Sequence, residues 1–323
     1  MKALFFDGSL RFEPHAPMPA PGENEALIRV LVAGVCGTDL EILKGYKNFR
    51  GIPGHEFVGV VERVNGPYPG LSGRKVVGEI NCGCGACDYC RKGMQKHCGR
   101  RSALGISGRD GVFAEYATLP AANLWEVPAG AEEIDMVFTE PLAAAFEVLE
   151  QTHVKPTDKV LILGDGKLGL LVALVLHLCG ADILLAGRHE EKLAVAAAQN
   201  VRTSRVEELT EGRLYDLVVE ATGAPQGLDL ALYLVKPRGA IVLKSTIAER
   251  TPAFLTKAVV DETTIVGSRC GPFGPAVAAL ASGRIKVKPL VSAVYPFDDA
   301  LAAFDAARQP GALKVLLDFR RNS

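Results

Sequence analysis

The sequence predicts an α/β protein in which a doubly wound parallel sheet is joined to a β-rich domain. Three observations indicate this architecture. Residues 160–187 have the pattern of a strand, a glycine turn, a helix and a second strand. Short strands and helices then alternate as far as residue 267, which is typical of a parallel sheet. The segment before residue 140 is instead strand-like and closely punctuated by Gly and Pro, and the chain returns to strand-like segments after residue 290.

The β-rich part contains both chain ends. Its predicted strands lie at 25–35, 57–64, 75–80 and 314–319. One helix is predicted at 297–307. We therefore expect a β-rich domain at 1–140, a parallel-sheet domain at 141–289 and a return to the β-rich domain at 290–323.

The glycine turn carries the clearest chemical signal. The apolar run Val160–Leu163 ends in a G-x-G-x-x-G pattern, and an apolar helical segment follows. The first glycine allows a tight turn, the second lets backbone N–H groups approach a pyrophosphate, and the third packs the helix on the strand. The positive end of the helix dipole also favours the anion. The predicted dinucleotide contacts are Gly164, Gly166, Lys167, Leu168 and Gly169.

The end of the second strand predicts which dinucleotide is preferred. An NAD site usually has a carboxylate there for the ribose 2′-hydroxyl, whereas an NADP site offers Arg to the 2′-phosphate. This chain has Gly187 followed by Arg188, with Lys192 one helical turn further on. We therefore expect NADP to be preferred over NAD; the alternative is that Arg188 lies over the adenine or is solvated. Further cofactor contacts are expected where later strands end, at Thr222, Gly223, Leu243 and Ser268.

The cysteines between residues 82 and 98 predict a structural metal site. Cys84, Cys87, Cys90 and Cys98 have the spacing C-x2-C-x2-C-x7-C. Four thiolates on a short loop can hold a tetrahedral zinc. An iron–sulfur run would place its fourth cysteine after three residues and before Pro, so zinc is favoured, and metal-free thiols remain the other alternative. Cys82 lies outside the spacing and is expected to be a buried free thiol.

A second, dispersed set of residues predicts a catalytic metal. It consists of Cys36, His55, Glu56 and Glu140, with Thr38 beside the first. Each alone has an ordinary explanation, such as a buried thiol or a carboxylate at a helix start. Together with a dinucleotide fold, they form a ligand set of thiolate, imidazole and carboxylate. Catalytic zinc takes three protein ligands and keeps one position open.

Composition excludes several partners. The net charge is −1 without long charged blocks, so neither nucleic acid nor an anionic membrane is favoured. The apolar stretches are too short to span a membrane, and no basic-then-apolar signal peptide opens the chain. We expect a cytoplasmic protein, in which thiols stay reduced and bind metal.

Taken together, these motifs resemble the zinc-dependent medium-chain dehydrogenases, the superfamily of alcohol, polyol and threonine dehydrogenases. The resemblance covers essentially the whole chain. Its carriers are Cys36-Gly37-Thr38-Asp39, Gly54-His55-Glu56, the cysteines at 84, 87, 90 and 98, Gly111-Val112-Phe113-Ala114-Glu115-Tyr116, Glu140-Pro141-Leu142-Ala143, the glycines at 164, 166 and 169, and Ala221-Thr222-Gly223. It implies a GroES-like catalytic domain and a Rossmann domain. It does not identify the substrate, because the chain is shorter than typical members at 51–55 and 67–73.

The resemblance also implies roles for single residues. It makes Cys36 and His55 ligands of a catalytic zinc and Thr38 the hydroxyl that relays the substrate proton. Glu140-Pro141-Leu142 is similar to the sorbitol, glucose and threonine dehydrogenase branch, in which either Glu56 or Glu140 completes the metal shell.

The activity implied is hydride transfer between a secondary alcohol or polyol, or the matching ketone or aldehyde, and NAD(P). Two zinc ions per subunit and a homo-oligomer, either a dimer or a tetramer, are expected. Two other functions remain open: a non-catalytic redox sensor that binds zinc and nucleotide, and a zinc-free quinone reductase.

Overall fold

The computed structural model of the chain describes residues 1–210, 212, 214–246 and 253–320. The chain divides into two compact units, Met1–Glu140 with Phe273–Ser323, and Pro141–Pro272. The first division falls where the sequence analysis placed it. The second falls after residue 272 and not after residue 289, so the expected boundary is corrected. The cause is the helix at Phe273–Ala281, which contacts the helix at Glu133–Met136 and so belongs to the first unit.

Strands and helices are distributed differently in the two units. The strands of the described residues, numbered in chain order, are β1 (Ala3–Phe6), β2 (Leu10–Glu13), β3 (Glu25–Val35), β4 (Glu56–Asn65), β5 (Lys75–Gly78), β6 (Asn81–Cys82), β7 (Ser102–Ala103), β8 (Tyr116–Pro120), β9 (Leu124–Glu126), β10 (Lys159–Leu163), β11 (Asp182–Gly187), β12 (Arg202–Arg205), β13 (Tyr215–Glu220), β14 (Val235–Leu243), β15 (Thr264–Gly267), β16 (Val291–Pro296) and β17 (Lys314–Asp318). The helices are α1 (Gly37–Ile42), α2 (Asp88–Arg91), α3 (Glu133–Met136), α4 (Thr139–Gln151), α5 (Lys167–Leu178), α6 (Glu190–Ala197), α7 (Gly227–Leu234), α8 (Leu255–Val260), α9 (Phe273–Ala281) and α10 (Ala300–Ala307). None of these described helices is long and apolar enough to cross a membrane.

The first unit is built on a mixed sheet with the strand order β16-β17-β3-β4-β5-β9, in which β8 also pairs with β3. The long predicted strand at 25–35 is confirmed as β3, and its side chains are almost all buried. The closing strand β17 runs antiparallel to β3, with Val315 opposite Val35. This pairing carries the start of β17 to the carboxyl end of β3, where the predicted metal ligands lie.

The second unit is a parallel six-stranded sheet with the order β12-β11-β10-β13-β14-β15. Apolar runs such as Leu161–Leu163 are fully buried, as expected for strands covered by helices on both faces. The strand order reverses between β10 and β13, and ligands of such sheets bind outside the carboxyl ends of the strands at that point. The predicted doubly wound parallel sheet is confirmed.

Candidate functional site

Three of the predicted catalytic ligands come together at the ends of β3 and β4. Cys36 follows β3 directly and precedes α1, whereas His55 and Glu56 lie at the start of β4. Because these strands are antiparallel neighbours with Gly34 opposite Glu56, the end of one lies beside the start of the other. One potential ligand atom from each of Cys36, His55 and Glu56 lies within 4.8 Å of the other two.

Asp39 orders this group from the first turn of α1. Its Oδ2 accepts a hydrogen bond from the Cys36 backbone N–H at 2.8 Å. Its Oδ1 lies 3.2 Å from His55 Nδ1, and neither of these two buried atoms has a further partner among the described residues. Burial alone would lower the pKa of His55, but the Asp39 carboxylate and the Cys36 sulfur outweigh it and raise that pKa well above its ordinary value. The group is therefore an electronegative site that favours a cation.

Glu56 has a partner that the sequence analysis missed. Its side chain is fully buried, and its Oε2 forms an ion pair with Lys314 Nζ at the start of β17. Burial would lower the pKa of Lys314, but the charges of Glu56, Cys36 and Glu140 raise it. A Cβ at Gly34 would lie only 2.7 Å from Glu56 Oε2, so glycine leaves room for the pair. The signal in the sequence that could have revealed this partner was Lys314 itself, a charged residue directly before the apolar run Val315–Leu317.

The donor atoms fit a zinc ion. Glu56 Oε1 is buried and has no hydrogen-bond partner among the described residues, which is a costly state unless a cation or a donor occupies the space. A thiolate, an imidazole and a carboxylate are ligands that zinc accepts. Thr38 is adjacent, with its Oγ1 3.8 Å from Cys36 Sγ. Glu140, in the first turn of α4, is not one of the three grouped side chains.

The four predicted cysteines of the loop also come together. The ligand sulfurs of Cys84, Cys87, Cys90 and Cys98 all lie within 4.8 Å of one another. The Cys84–Cys90 and Cys87–Cys90 sulfur distances are 4.0 and 3.5 Å, close to the ~3.8 Å that tetrahedral Zn–S bonds of about 2.3 Å require. Cys82 is buried and lies outside this group. The arrangement fits one zinc ion.

The loop supports negative charge on these sulfurs. Backbone N–H groups of Ala86 and Cys87 lower the pKa of the Cys84 thiol to about 6. Burial and the neighbouring Cys87 raise the pKa of the Cys90 thiol to about 11. Arg100 Nη2 donates to Cys84 Sγ at 3.3 Å. Four clustered sulfurs cannot all ionise without a cation, so the loop requires one to be fully deprotonated.

The glycine turn has the geometry that its pattern predicts. Gly164 has a φ of +115°, in the region that favours glycine, and a Cβ there would lie 2.5 Å from the Ala221 carbonyl oxygen. A Cβ at Gly166 would meet no protein atom within 4 Å, so the space before α5 is open. A Cβ at Gly169 would overlap the Gly164 carbonyl oxygen, which shows how closely helix and strand pack. Lys167 and Leu168 begin α5 beside this open space.

Four further predicted cofactor residues, Thr222, Gly223, Leu243 and Ser268, lie at the same edge of the sheet, at or just after the carboxyl ends of β13, β14 and β15. The N–H and hydroxyl of Thr222 both donate to Glu220 Oε1, at 2.8 and 2.6 Å. The Gly223 N–H donates to Ser245 Oγ at 2.8 Å. The Thr222 N–H and hydroxyl and the Gly223 N–H therefore donate hydrogen bonds to side chains of the protein itself.

Leu243 and Ser268 end neighbouring strands and are also joined. The Ser268 N–H donates to the Leu243 carbonyl at 2.9 Å, and Ser268 Oγ accepts from Lys244 Nζ at 3.0 Å. The Lys244 ammonium is buried and also donates to the carbonyls of Ala144 and Arg269. It ties the ends of two strands to α4.

At the end of β11, the structure corrects one expectation. The sequence analysis took Gly187 to leave space for a 2′-phosphate, but a Cβ at this position would overlap the Asp165 side chain. The glycine is needed because Asp165 fills that space. Arg188 follows with an exposed side chain, and Lys192 lies in the first turn of α6. The pattern analysis treated Asp165 as an unspecified position of the glycine motif and so missed it.

Models of two known protein families match the chain. The model described as the alcohol dehydrogenase GroES-like domain matches residues 22–129, and the one described as zinc-binding dehydrogenase matches residues 168–282. Among curated proteins, the sorbitol dehydrogenase of Halalkalibacterium halodurans is 29% identical, with 93% of each chain covered. The L-threonine 3-dehydrogenase of Streptomyces avermitilis is 32% identical, with 94% of each chain covered.

Two solved structures with the same fold contain different dinucleotides, NADH in one and NADP in the other. An alcohol dehydrogenase of Escherichia coli CFT073, complexed with NADH, is 27% identical with a TM-score of 0.91 and 99% of each chain covered. A zinc-binding dehydrogenase of Sinorhizobium meliloti 1021, bound to NADP, is 27% identical with a TM-score of 0.88 and 98% of each chain covered. The likeness extends over both units of the chain.

Proposed function

We infer the function from the family: the chain belongs to the zinc-dependent medium-chain dehydrogenase superfamily and is a zinc-dependent alcohol dehydrogenase that uses NAD(P). We propose that it oxidises a polyol-type secondary alcohol, or reduces the matching ketone. The observation that carries this proposal is the group of half-buried Cys36 with buried His55 and Glu56, in which one carboxylate oxygen of Glu56 lacks a hydrogen-bond partner among the described residues. The names of the sorbitol and threonine dehydrogenase relatives support the substrate class.

The chain's own residues would act as follows. Cys36 and His55 would hold the zinc, with Glu56 as the carboxylate we propose for its shell and Glu140 as a charge near Lys314. Zinc, when bound, supplies the Lewis acidity that lowers the pKa of an alcohol. Thr38, whose Oγ1 lies 3.8 Å from Cys36 Sγ, would accept the substrate proton and pass it on. The second unit would hold and orient the dinucleotide, whose nicotinamide would supply the hydride acceptor.

The proposal includes two zinc ions per subunit and a preference for NADP. The four-sulfur loop supports the second zinc. Arg188 supports the NADP preference, because an exposed guanidinium at the end of β11 can bind a 2′-phosphate in a bidentate way. It also includes a homo-oligomer, either a dimer or a tetramer, and a cytoplasmic location, both of which rest on the family resemblance and the sequence.

A panel of alcohols tests the proposal. Purified zinc-loaded protein would be mixed with sorbitol, L-threonine or 2-propanol and with NADP⁺ or NAD⁺, and formation of the reduced nicotinamide would be followed by absorbance. We expect the highest kcat/KM with a polyol and NADP⁺. Arg188→Gln should lower kcat/KM with NADP⁺ while leaving that with NAD⁺ within about twofold. Lys155→Gln, an exposed cation before β10, is the matched control.

The alternatives give different results. A redox sensor would bind zinc and dinucleotide without turnover of any alcohol, and a quinone reductase would reduce quinones without zinc. Equal or better kcat/KM with NAD⁺ would contradict only the NADP preference and would leave the dehydrogenase function intact.

A further inference from the structure

Asp165 reaches from the glycine turn after β10 to the end of the neighbouring strand β11. Its Oδ2 accepts hydrogen bonds from the backbone N–H groups of Arg188 and His189, each at 2.6 Å. Its Oδ1 lies 3.1 Å from His189 Nδ1. The residue is only 7% exposed, so these contacts fix both the carboxylate and the backbone turn that carries Arg188.

The carboxylate therefore stands at the end of β11 although the strand itself ends in glycine. In dinucleotide-binding folds, this strand end faces the 2′ position of the adenosine ribose. NAD-specific sites place an acidic side chain there from the strand itself. A Cβ at Gly187 would overlap Asp165, so in this chain the carboxylate at the strand end comes from the glycine turn and not from β11.

Two opposite charges consequently act on the same group of the cofactor. Burial would raise the pKa of Asp165, but hydrogen bonds from the His189 and Arg188 backbone outweigh it and lower that pKa, so the carboxylate is ionised at neutral pH. Arg188, the residue whose N–H it binds, directs an exposed guanidinium to solvent. A 2′-phosphate dianion is attracted by Arg188 and repelled by Asp165. A 2′-hydroxyl has no net charge, so its electrostatic interaction with either residue is weak.

We propose that Asp165 is a specificity-determining residue of the cofactor site: its carboxylate weakens binding of the 2′-phosphate and offsets part of the preference that Arg188 provides. The inference rests on the proposed dinucleotide-dependent function. It makes discrimination between NADP and NAD the result of a balance between two fixed charges.

Equilibrium binding of the two cofactors to Asp165→Asn tests the inference. The asparagine carbonyl can still accept from both N–H groups, so the turn is retained while the charge is lost. By titration calorimetry, the Kd for NADP⁺ should fall about three- to tenfold, the effect of removing one charge near a solvent-screened dianion. The Kd for NAD⁺ should stay within about twofold. Asp158→Asn, which removes a charge at the opposite end of β10, should change neither value.

Two further variants make the result decisive. Asp165→Ser removes the charge with a smaller side chain and must shift the Kd ratio in the same direction, so poor folding of one variant does not end the test. Arg188→Gln must weaken NADP⁺ alone. If Asp165→Asn or Asp165→Ser alters both affinities equally while Arg188→Gln is selective, the inference is wrong although the proposed function stands. If the wild-type protein binds neither cofactor, the proposed function itself is wrong.

Discussion

The buried pair of Glu56 and Lys314 is the residue-scale feature that most constrains the catalytic group. Both side chains are almost completely buried, and the ammonium also lies 5.5 Å from the centre of the Phe138 ring. A buried ion pair contributes little net stability compared with a well-packed apolar pair, but removal of one partner leaves an uncompensated charge. The pair therefore holds Oε2 of Glu56 in place, while Oε1 is buried without a hydrogen-bond partner among the described residues.

A double substitution of this pair should destabilise the protein less than the single substitution of Lys314. Lys314→Met leaves the Glu56 carboxylate buried and unpaired, and we expect a loss of about 3–5 kcal/mol in the free energy of unfolding in urea. Adding Glu56→Gln should recover much of that loss. Lys288→Met is a matched control, because its pair with Glu132 is exposed and screened by solvent and should contribute little to stability. A double variant as unstable as the sum of the two single variants would contradict this coupling.

The junction of β10 and α5 is the element that we propose as the site of pyrophosphate binding. Its glycines have separable roles, since a Cβ at Gly169 would overlap the Gly164 carbonyl oxygen whereas a Cβ at Gly166 would meet no protein atom within 4 Å. At a helix N-terminus the first N–H groups lie before the repeating i to i−4 hydrogen bonds of the helix, so they can donate to an anion. An anion can bind there only if the backbone remains uncovered.

Alanine substitutions should separate stability from binding at this junction. Gly169→Ala forces a methyl group against the Gly164 carbonyl, and we expect it to lower the free energy of unfolding by about 1–3 kcal/mol. Gly166→Ala meets no protein atom, so unfolding should change by less than about 1 kcal/mol. Its methyl group would instead obstruct the pyrophosphate and weaken NADP⁺ binding at least tenfold, on the order of 1.4 kcal/mol. Normal affinity in Gly166→Ala would remove this turn from the cofactor site.

At the scale of the whole molecule, the first unit contains both candidate metal groups and both ends of the chain. The chain leaves this unit after Glu140 and returns at Phe273. The catalytic group depends on this return, because Lys314 comes from β17. The four-cysteine loop lies within one short segment and requires only its own backbone.

Loss of each metal should have a different consequence. Cys87→Ser should remove one zinc per chain and lower Tm, because the loop has little apolar core of its own and depends on the metal. His55→Ala should remove the other zinc and abolish alcohol oxidation, with a much smaller change in Tm. Cys179→Ser, outside both groups, is the control for a lost thiol. Zinc content per chain and thermal unfolding would be measured for Cys87→Ser and His55→Ala. Substantial alcohol oxidation by His55→Ala would refute the catalytic assignment.

Local patterns in the sequence were sufficient for the fold class and for much of the candidate site. The turn at 164–169 and the cysteines at 84–98 depend on spacing within a few residues, and a short segment of backbone can adopt only a few geometries that satisfy such spacing. The strand at 25–35 was predicted to the residue, because a long apolar run between glycine and proline has few other structures.

The contacts between distant segments were decided only by the tertiary structure. Glu56 and Lys314 are 258 residues apart, and no spacing rule connects them until β17 pairs with β3. Asp165 looked like a variable position of a glycine motif, and its role follows from the adjacent placement of β10 and β11. The second domain boundary was misplaced for the same reason, since α9 belongs to the unit that buries its apolar face. Sequence patterns therefore determined the local elements, whereas partners for buried charges depended on which elements became neighbours.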